Sequence, residues 1–151
     1  MELRLKIVAL AALLVSCQSV AAQDKQSTAG GVFTDEQVKQ GELAYQTQCA
    51  GCHGLDLKRV DAEAPDLTGG PFRYGWDGKT IAERFAKIRE TMPKPNGRSL
   101  DDQTYVDIVA YILHFNGIPA GQQKLVPNPA FLETIVIAVP TAASGAARRR
   151  R

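Results

Sequence analysis

Cys49-Ala50-Gly51-Cys52-His53 is the least ambiguous stretch of the 151-residue chain. Two thiols lie a short turn apart, and a histidine follows the second directly. This is the attachment pattern of a c-type haem: the thiols add to the two vinyl groups of the porphyrin, and the adjacent histidine is delivered beneath the iron. Thioether attachment consumes both thiols, so an exported chain can carry them without a disulfide. Three plainer readings compete. A disulfide between Cys49 and Cys52 suits an oxidising compartment but gives no reason for His53. A zinc site needs four donors, and past residue 22 the chain has only Cys49, Cys52, His53 and His114, one histidine directly beside a cysteine and awkward for a tetrahedron. A thioredoxin-like dithiol needs a βαβ surround, and no strand-helix alternation is visible.

Helical signals flank the motif, which favours an all-α domain. Before it, Thr34 can cap a helix, Gln37 can complete a capping box and Phe33 can staple against Val38. Val38, Gly41, Tyr45 and Cys49 then recur at helical spacing. Gly41 reads either as a mildly destabilising helix residue or as a place where another helix crosses closely. A second helix begins at Thr80 with Glu83 and carries Ile81, Phe85 and Ile88 on one stripe. It ends before Met92, because Pro93 disfavours a helical conformation in the residue ahead of it. A third runs from about Asp101 to Phe115, burying Tyr105, Ile108, Tyr111, Ile112 and Phe115, and Asn116-Gly117 with Pro119 stops it. The stretch between the first and second helices, rich in Gly, Pro and Asp, reads as loop.

If His53 binds iron from one side, the donors available for the other can be enumerated. The chain has two methionines and two histidines, and Met1 lies in the leader. His114 falls on the polar side of its helix with Gln103, Asp107 and Ala110, turned away from the stripe of Tyr105 and Ile112. Met92 extends the 81, 85, 88 spacing and can be a core residue. Yet it sits where Pro93 forces the chain out of the helix, and such a loop can present a thioether to the iron. Met92 is the favoured axial ligand.

Arg4 and Lys6 precede an apolar run from Ile7 to Val15, the layout of an export signal too short to span a bilayer. Two processing routes follow. Val20-Ala21-Ala22 suits removal of a signal peptide at 1–22. Leu14-Val15-Ser16-Cys17 resembles a lipobox, which gives a lipoprotein signal at 1–16 and a lipid anchor on Cys17. Residues 23–32 read as a polar linker, 33–121 as the folded domain, 122–140 as a C-terminal extension and 141–151 as a disordered basic tail. Composition fits one soluble domain, with 44% hydrophobic and 23% charged residues. The formal charge of +2 is too small to suggest a nucleic-acid partner. It also conceals a division: without Glu2, Arg4, Lys6 and the four arginines of the tail, Arg148 to Arg151, twelve bases face fifteen acids, a balance of −3.

Taken together, these residues resemble a single-haem class I cytochrome c over about 33–121, on the haem motif with Ala64-Pro65-Asp66-Leu67 and Thr91-Met92-Pro93. The resemblance implies three to four helices around one covalently attached haem c, its iron held by His53 and Met92. An N-terminal and a C-terminal helix then cross at close range, through Gly41 and Tyr45 on one and Ile108 and Tyr111 on the other. It further implies that the Pro65 carbonyl accepts the Nδ1 proton of His53, that Leu67 packs on the haem, and that Trp76 or Tyr74 reaches a propionate. A narrower likeness, through Asp107-Ile108-Val109-Ala110-Tyr111-Ile112-Leu113 and Asn116-Gly117-Ile118-Pro119-Ala120-Gly121, is to cytochromes associated with bacterial pyrroloquinoline-quinone (PQQ) dehydrogenases. The implied role is a periplasmic electron carrier, not an enzyme, between a dehydrogenase and an acceptor such as a terminal oxidase. The alternative is a haem enzyme or ligand sensor with a labile sixth site, but no distal histidine or acid-base pair accompanies Met92, and Arg98 alone does not supply one. Phe131 to Val139 is apolar and too short to span a membrane; it is expected to wrap along the domain, with a strand-like piece over Ile135 to Val139.

Overall fold

The computed structural model describes residues 25–141. The expected export signal, Cys17 and the four terminal arginines lie outside them. Among the described residues the elements run in the order β1 (Gln26–Ser27), α1 (Asp35–Gln48), α2 (Ala50–His53), α3 (Gly69–Trp76), α4 (Ile81–Thr91), α5 (Asp102–Phe115), α6 (Pro129–Glu133) and β2 (Ile135–Val136), with a single 3₁₀ turn at Thr28–Gly30. The fold is all-α, and its core is one cluster of buried side chains drawn from every helix except α2.

The three long helices begin where side-chain oxygens can satisfy their free amides. Thr34 accepts from the Gln37 amide at 3.2 Å, and Asp35 and Glu36 place negative charge at the positive end of α1. Thr80 and Glu83 form a reciprocal capping box on α4. Asp101 accepts from the Thr104 amide at 3.0 Å to open α5. Gln37 does not close a box on α1. Its buried side chain donates instead to Asp107 at 2.7 Å and to the Leu125 carbonyl at 3.0 Å, and accepts from the Leu125 amide at 2.8 Å. A buried amide is worth most where all its groups are satisfied, and here they bind α1 to α5 and to the chain beyond it.

Helices α1 and α5 cross so closely that a Cβ on residue 41 would lie 1.9 Å from the Asp107 carbonyl oxygen and 3.0 Å from the Tyr111 Cβ. Glycine at 41 is therefore a requirement of the crossing rather than a weak helix residue. Next to it the Tyr45 and Tyr111 rings pack 5.2 Å apart. Ala110, assigned from the helical wheel to the polar side of α5, is fully buried, because neighbours cover α5 around most of its circumference. His114 is exposed, its ring meeting Phe33 edge-on. Phe115, expected on the buried side, is instead 43% exposed.

Two segments depart from the sequence reading. The glycine- and proline-rich loop contains α3; Pro71 sits in its first turn, where no amide is needed, and Phe72 and Trp76 are buried. Gln26 and Ser27, read as part of a linker, pair in parallel with Ile135 and Val136. Beyond α5 the chain carries Leu125, Leu132, Ile135 and Ile137, all buried. The Ile137 amide donates to the Lys79 carbonyl, and the Gly78 amide donates to the Ile137 carbonyl, each at 2.8 Å. Arg73 donates to the carbonyls of Val139 and Pro140. Residues 122–140 are thus a strap across the α3–α4 junction. The strand covers only Ile135–Val136 rather than 135–139, and a short helix capped by Asn128 precedes it.

Gly41→Val is expected to lower stability by about 3 kcal/mol, read as a fall in the urea midpoint, since the Asp107 carbonyl cannot move without unwinding α5. A second expectation concerns acid. The Thr104 hydroxyl and amide hold the Asp101 carboxyl below its ordinary value. Its contribution is complete above the unfolded value of ~3.9 and is lost as pH falls through the lower folded value. Asp101→Asn should flatten the fall in stability across that window, as measured by urea melts at a series of pH values.

Candidate functional site

Cys49 ends α1, and α2 turns immediately after it: the amides of Cys52 and His53 both donate to the Cys49 carbonyl, at 3.2 and 3.0 Å. Gly54, at φ 71°, stops the turn; a Cβ there would lie 2.2 Å from the Lys58 carbonyl oxygen. Helical spacing of three and four residues from Cys49 puts Cys52 and His53 over one side of the turn. All three side chains enter the wall of a cavity of about 350 Å³. Pro65 and Leu67 from the following loop, Trp76 from α3, Ile88 from α4, Met92, and Ile108 and Ile112 from α5 complete much of that wall. Cys49, Cys52, His53, Pro65, Leu67, Trp76 and Met92, all singled out from the sequence, therefore line one cavity. Tyr74, the other candidate for a propionate, is 94% exposed and lies outside it.

The proton on His53 can be placed from its partner. Nδ1 lies 3.0 Å from the Pro65 carbonyl oxygen, which can only accept, so Nδ1 carries a hydrogen and, in the neutral ring, the lone pair falls to Nε2. Only 7% of His53 is exposed. Behind it, the Tyr45 hydroxyl donates to the carbonyls of Gly54 at 2.9 Å and His53 at 3.3 Å. Burial first, then Cys49, pushes that hydroxyl well above the usual phenol range, so it remains a donor. The loop carrying Pro65 is held at both ends. The Leu67 amide donates to the Leu57 carbonyl, and Asn116, just past α5, donates to the Leu67 carbonyl at 2.9 Å.

Met92 ends α4 in an extended conformation, its amide still bonded to the Ile88 carbonyl. Its own carbonyl accepts from the Tyr105 hydroxyl at 2.8 Å, which anchors the exit from α4 to α5. Arg89 pairs with Asp102 at 2.6 Å, Arg98 pairs with Glu90, and the Arg98 amide donates to the Arg89 carbonyl, so the loop after Met92 folds back on its helix.

These donors suit a haem. Cys49 and Cys52 are both free thiols. Burial, then Cys52, pushes the Cys49 thiol up to about 11, so it stays protonated at neutral pH. One imidazole nitrogen with its lone pair available and one thioether share an otherwise largely apolar cavity. Among the described residues no three His, Cys, Asp or Glu side chains gather as a metal cluster, which leaves the zinc reading without its donors.

Arrangement and donor set define a c-type cytochrome domain. The family described as cytochrome c oxidase, cbb3-type, subunit III matches residues 36–112. That is just over half of the chain, and the chain belongs to this family of cytochromes c, whose membership implies covalently bound haem c and electron transfer. Cytochrome c-551 of Bacillus subtilis is 34% identical over 86 residues, which cover 57% of this chain and 72% of the relative. The cbb3-type cytochrome c oxidase subunit CcoP of Azospirillum brasilense is 26% identical over 84 residues, 52% of this chain and 28% of that protein. The cytochrome bc1 complex cytochrome c subunit of Mycobacterium tuberculosis is 27% identical over 121 residues, 80% of this chain and 39% of that subunit. The chain thus spans well under half the length of the two respiratory subunits. No solved structure matches the chain.

Tyr105 was legible only as a core residue, since nothing in its spacing says where its hydroxyl goes. Tyr105→Phe should lower stability by about 1 kcal/mol, the usual net worth of one hydrogen bond. Because the lost partner is the Met92 carbonyl, amide exchange over residues 92–100 should rise more than exchange within α1.

Proposed function

We propose that the protein is an exported single-haem cytochrome c, carrying one electron at a time between periplasmic redox enzymes. The observation that carries the reading is the convergence of Cys49, Cys52, His53 and Met92 on one cavity. A single Cys-x-x-Cys-His motif in the chain supports one haem. Cys49 and Cys52 would hold the group covalently, His53 and Met92 would supply donors to its iron, and Pro65, Leu67 and Trp76 would shape its surround. Bound there, haem c supplies a one-electron iron couple. His53, fixed by Pro65 and backed by Tyr45, cannot rotate away from its ligating orientation. Donation by the Met92 thioether would raise the reduction potential relative to stronger donors. The Tyr105 and Asn116 bonds hold both ligand-bearing segments to α5, which keeps rearrangement small when charge changes.

The domain plan supports export: a signal at 1–22, or a lipoprotein signal at 1–16 with Cys17 as anchor, ahead of a body at 33–121, an extension at 122–140 and a basic tail at 141–151. Among the described residues no helix is long and apolar enough to cross a membrane. The partners fitting this plan are a periplasmic dehydrogenase, PQQ-dependent in the narrower reading, and a terminal oxidase as acceptor. Contacts of this kind are small and transient.

Expression with a c-type maturation system should give a mass with one covalent haem, and a mass without it overturns the reading. The oxidised protein should show a weak far-red band that Met92→Ala abolishes. A five-coordinate spectrum in the unaltered protein rules out Met92 as ligand.

A further inference from the structure

We propose that Arg73 and Asp77 are positioning residues: they clasp the C-terminal strap over the α3–α4 junction, and the strap holds Trp76 in the cavity wall and keeps water from that side. The consequence for an iron couple rests on the haem reading above. Trp76 is the single tryptophan of the chain, is 6% exposed, and lines the cavity from the last position of α3, while Arg84 and Ile88 line it from α4. What steadies the turn between these helices comes from the far end of the chain. The three residues that follow Trp76 each bond to the strap. The Asp77 carboxylate accepts from the Val139 amide, the Gly78 amide donates to the Ile137 carbonyl, and the Lys79 carbonyl accepts from the Ile137 amide, all at 2.8 Å. One turn earlier, Arg73 donates to the Val139 and Pro140 carbonyls at 3.2 and 2.6 Å. Arg73 and Asp77 thus grip Val139 by both its backbone polar groups, and both side chains stand on the exposed surface.

The strap is fixed along its other edge as well. Thr28, fully buried, accepts from the Ala138 amide at 2.9 Å, and Gln26–Ser27 pair with Ile135–Val136. Strap and Thr28 both lie outside the residues 36–112 that match the family, whereas the wall they support lies inside them. A surface turn with a left-handed glycine, here Gly78 at φ 74°, opens readily when few buried contacts oppose it. Under the strap, the turn instead keeps Trp76 packed on Phe72, ring centres 5.0 Å apart. Solvent exposure is one of the quantities that set the potential of bound iron, because water favours the more highly charged, oxidised site. The clasp therefore acts on the cavity through Trp76 without touching the cavity itself.

The test uses the haem-loaded full-length chain and the one indole N–H resonance that its single tryptophan gives. In a variant carrying Arg73→Gln and Asp77→Ala, exchange of that hydrogen with deuterium should quicken by about tenfold, as local opening becomes easier. The one-electron equilibrium should shift toward the oxidised form by about threefold, or about 28 mV at ~59 mV per tenfold. The weak far-red band should persist, which separates this shift from loss of Met92. Thr28→Val, which loosens the opposite edge of the strap, should move both readouts the same way. A variant that is merely less stable, with indole exchange unmoved, overturns the proposal, and quickened exchange at an unchanged equilibrium overturns its effect on the iron. If the double variant does not accumulate, unmoved indole exchange in Thr28→Val overturns the proposal equally. Failure of the haem reading is separate: the mass would then show no covalent group, while indole exchange would still decide whether the clasp holds Trp76.

Discussion

The Asp107 carbonyl oxygen occupies the space that any side chain on residue 41 would need, and the rest of the molecule is arranged around that contact. With α1 and α5 this close, Asp107 can also receive the buried Gln37 amide and the Gln103 amide, so the crossing is closed by polar as well as apolar bonds. Next to Asp107 and about one turn beyond it, Ile108 and Ile112 come to face the cavity that the end of α1 opens. Tyr45, packed on Tyr111 at the same crossing, puts its hydroxyl on the backbone of His53 and Gly54. A single close approach between helices distant in sequence thereby sets both the cavity wall and the support behind His53.

The cavity is an apolar space whose few polar groups each have a defined direction. His53 is held in one tautomer by a carbonyl, and the Met92 carbonyl is held by a phenol. Such constraints suit a group that must change charge without moving its surroundings. Burial in low dielectric makes any reorientation of charge expensive, so ligands fixed in advance lower the cost of each electron gained or lost. The strap formed by residues 122–140 belongs to this scheme. It lies outside the α3–α4 junction and bonds the backbone from which Trp76 and Arg84 reach inward.

Legibility in the sequence followed the range of the forces involved. The haem motif, the caps at Thr34 and Thr80, the ending of α4 before Pro93 and the candidacy of Met92 all depend on contacts within a few residues, so spacing alone reveals them. Helix α3 escaped because its glycines and Pro71 argue locally for a loop. Its stability comes instead from burying Phe72 and Trp76, which are 5.0 Å apart ring to ring. The polar appearance of Gln26 and Ser27 concealed a strand for the same reason, since their partner lies more than a hundred residues away. Gln37 fitted a capping box by position but found a better-buried set of partners across the fold.

By itself, then, the sequence determined the chemistry of this protein: thiols and imidazole in one turn, a lone thioether where a proline breaks a helix, and the caps at Thr34 and Thr80. Those are local matters of covalent spacing and backbone conformation. Only the tertiary structure decided that the thiols, imidazole and thioether face one cavity, that residue 41 admits nothing larger than hydrogen, and that the chain beyond α5 clamps the wall bearing Arg84. Each of these depends on which surfaces exclude water together. That is a property of the packed molecule, and no window of neighbouring residues contains it.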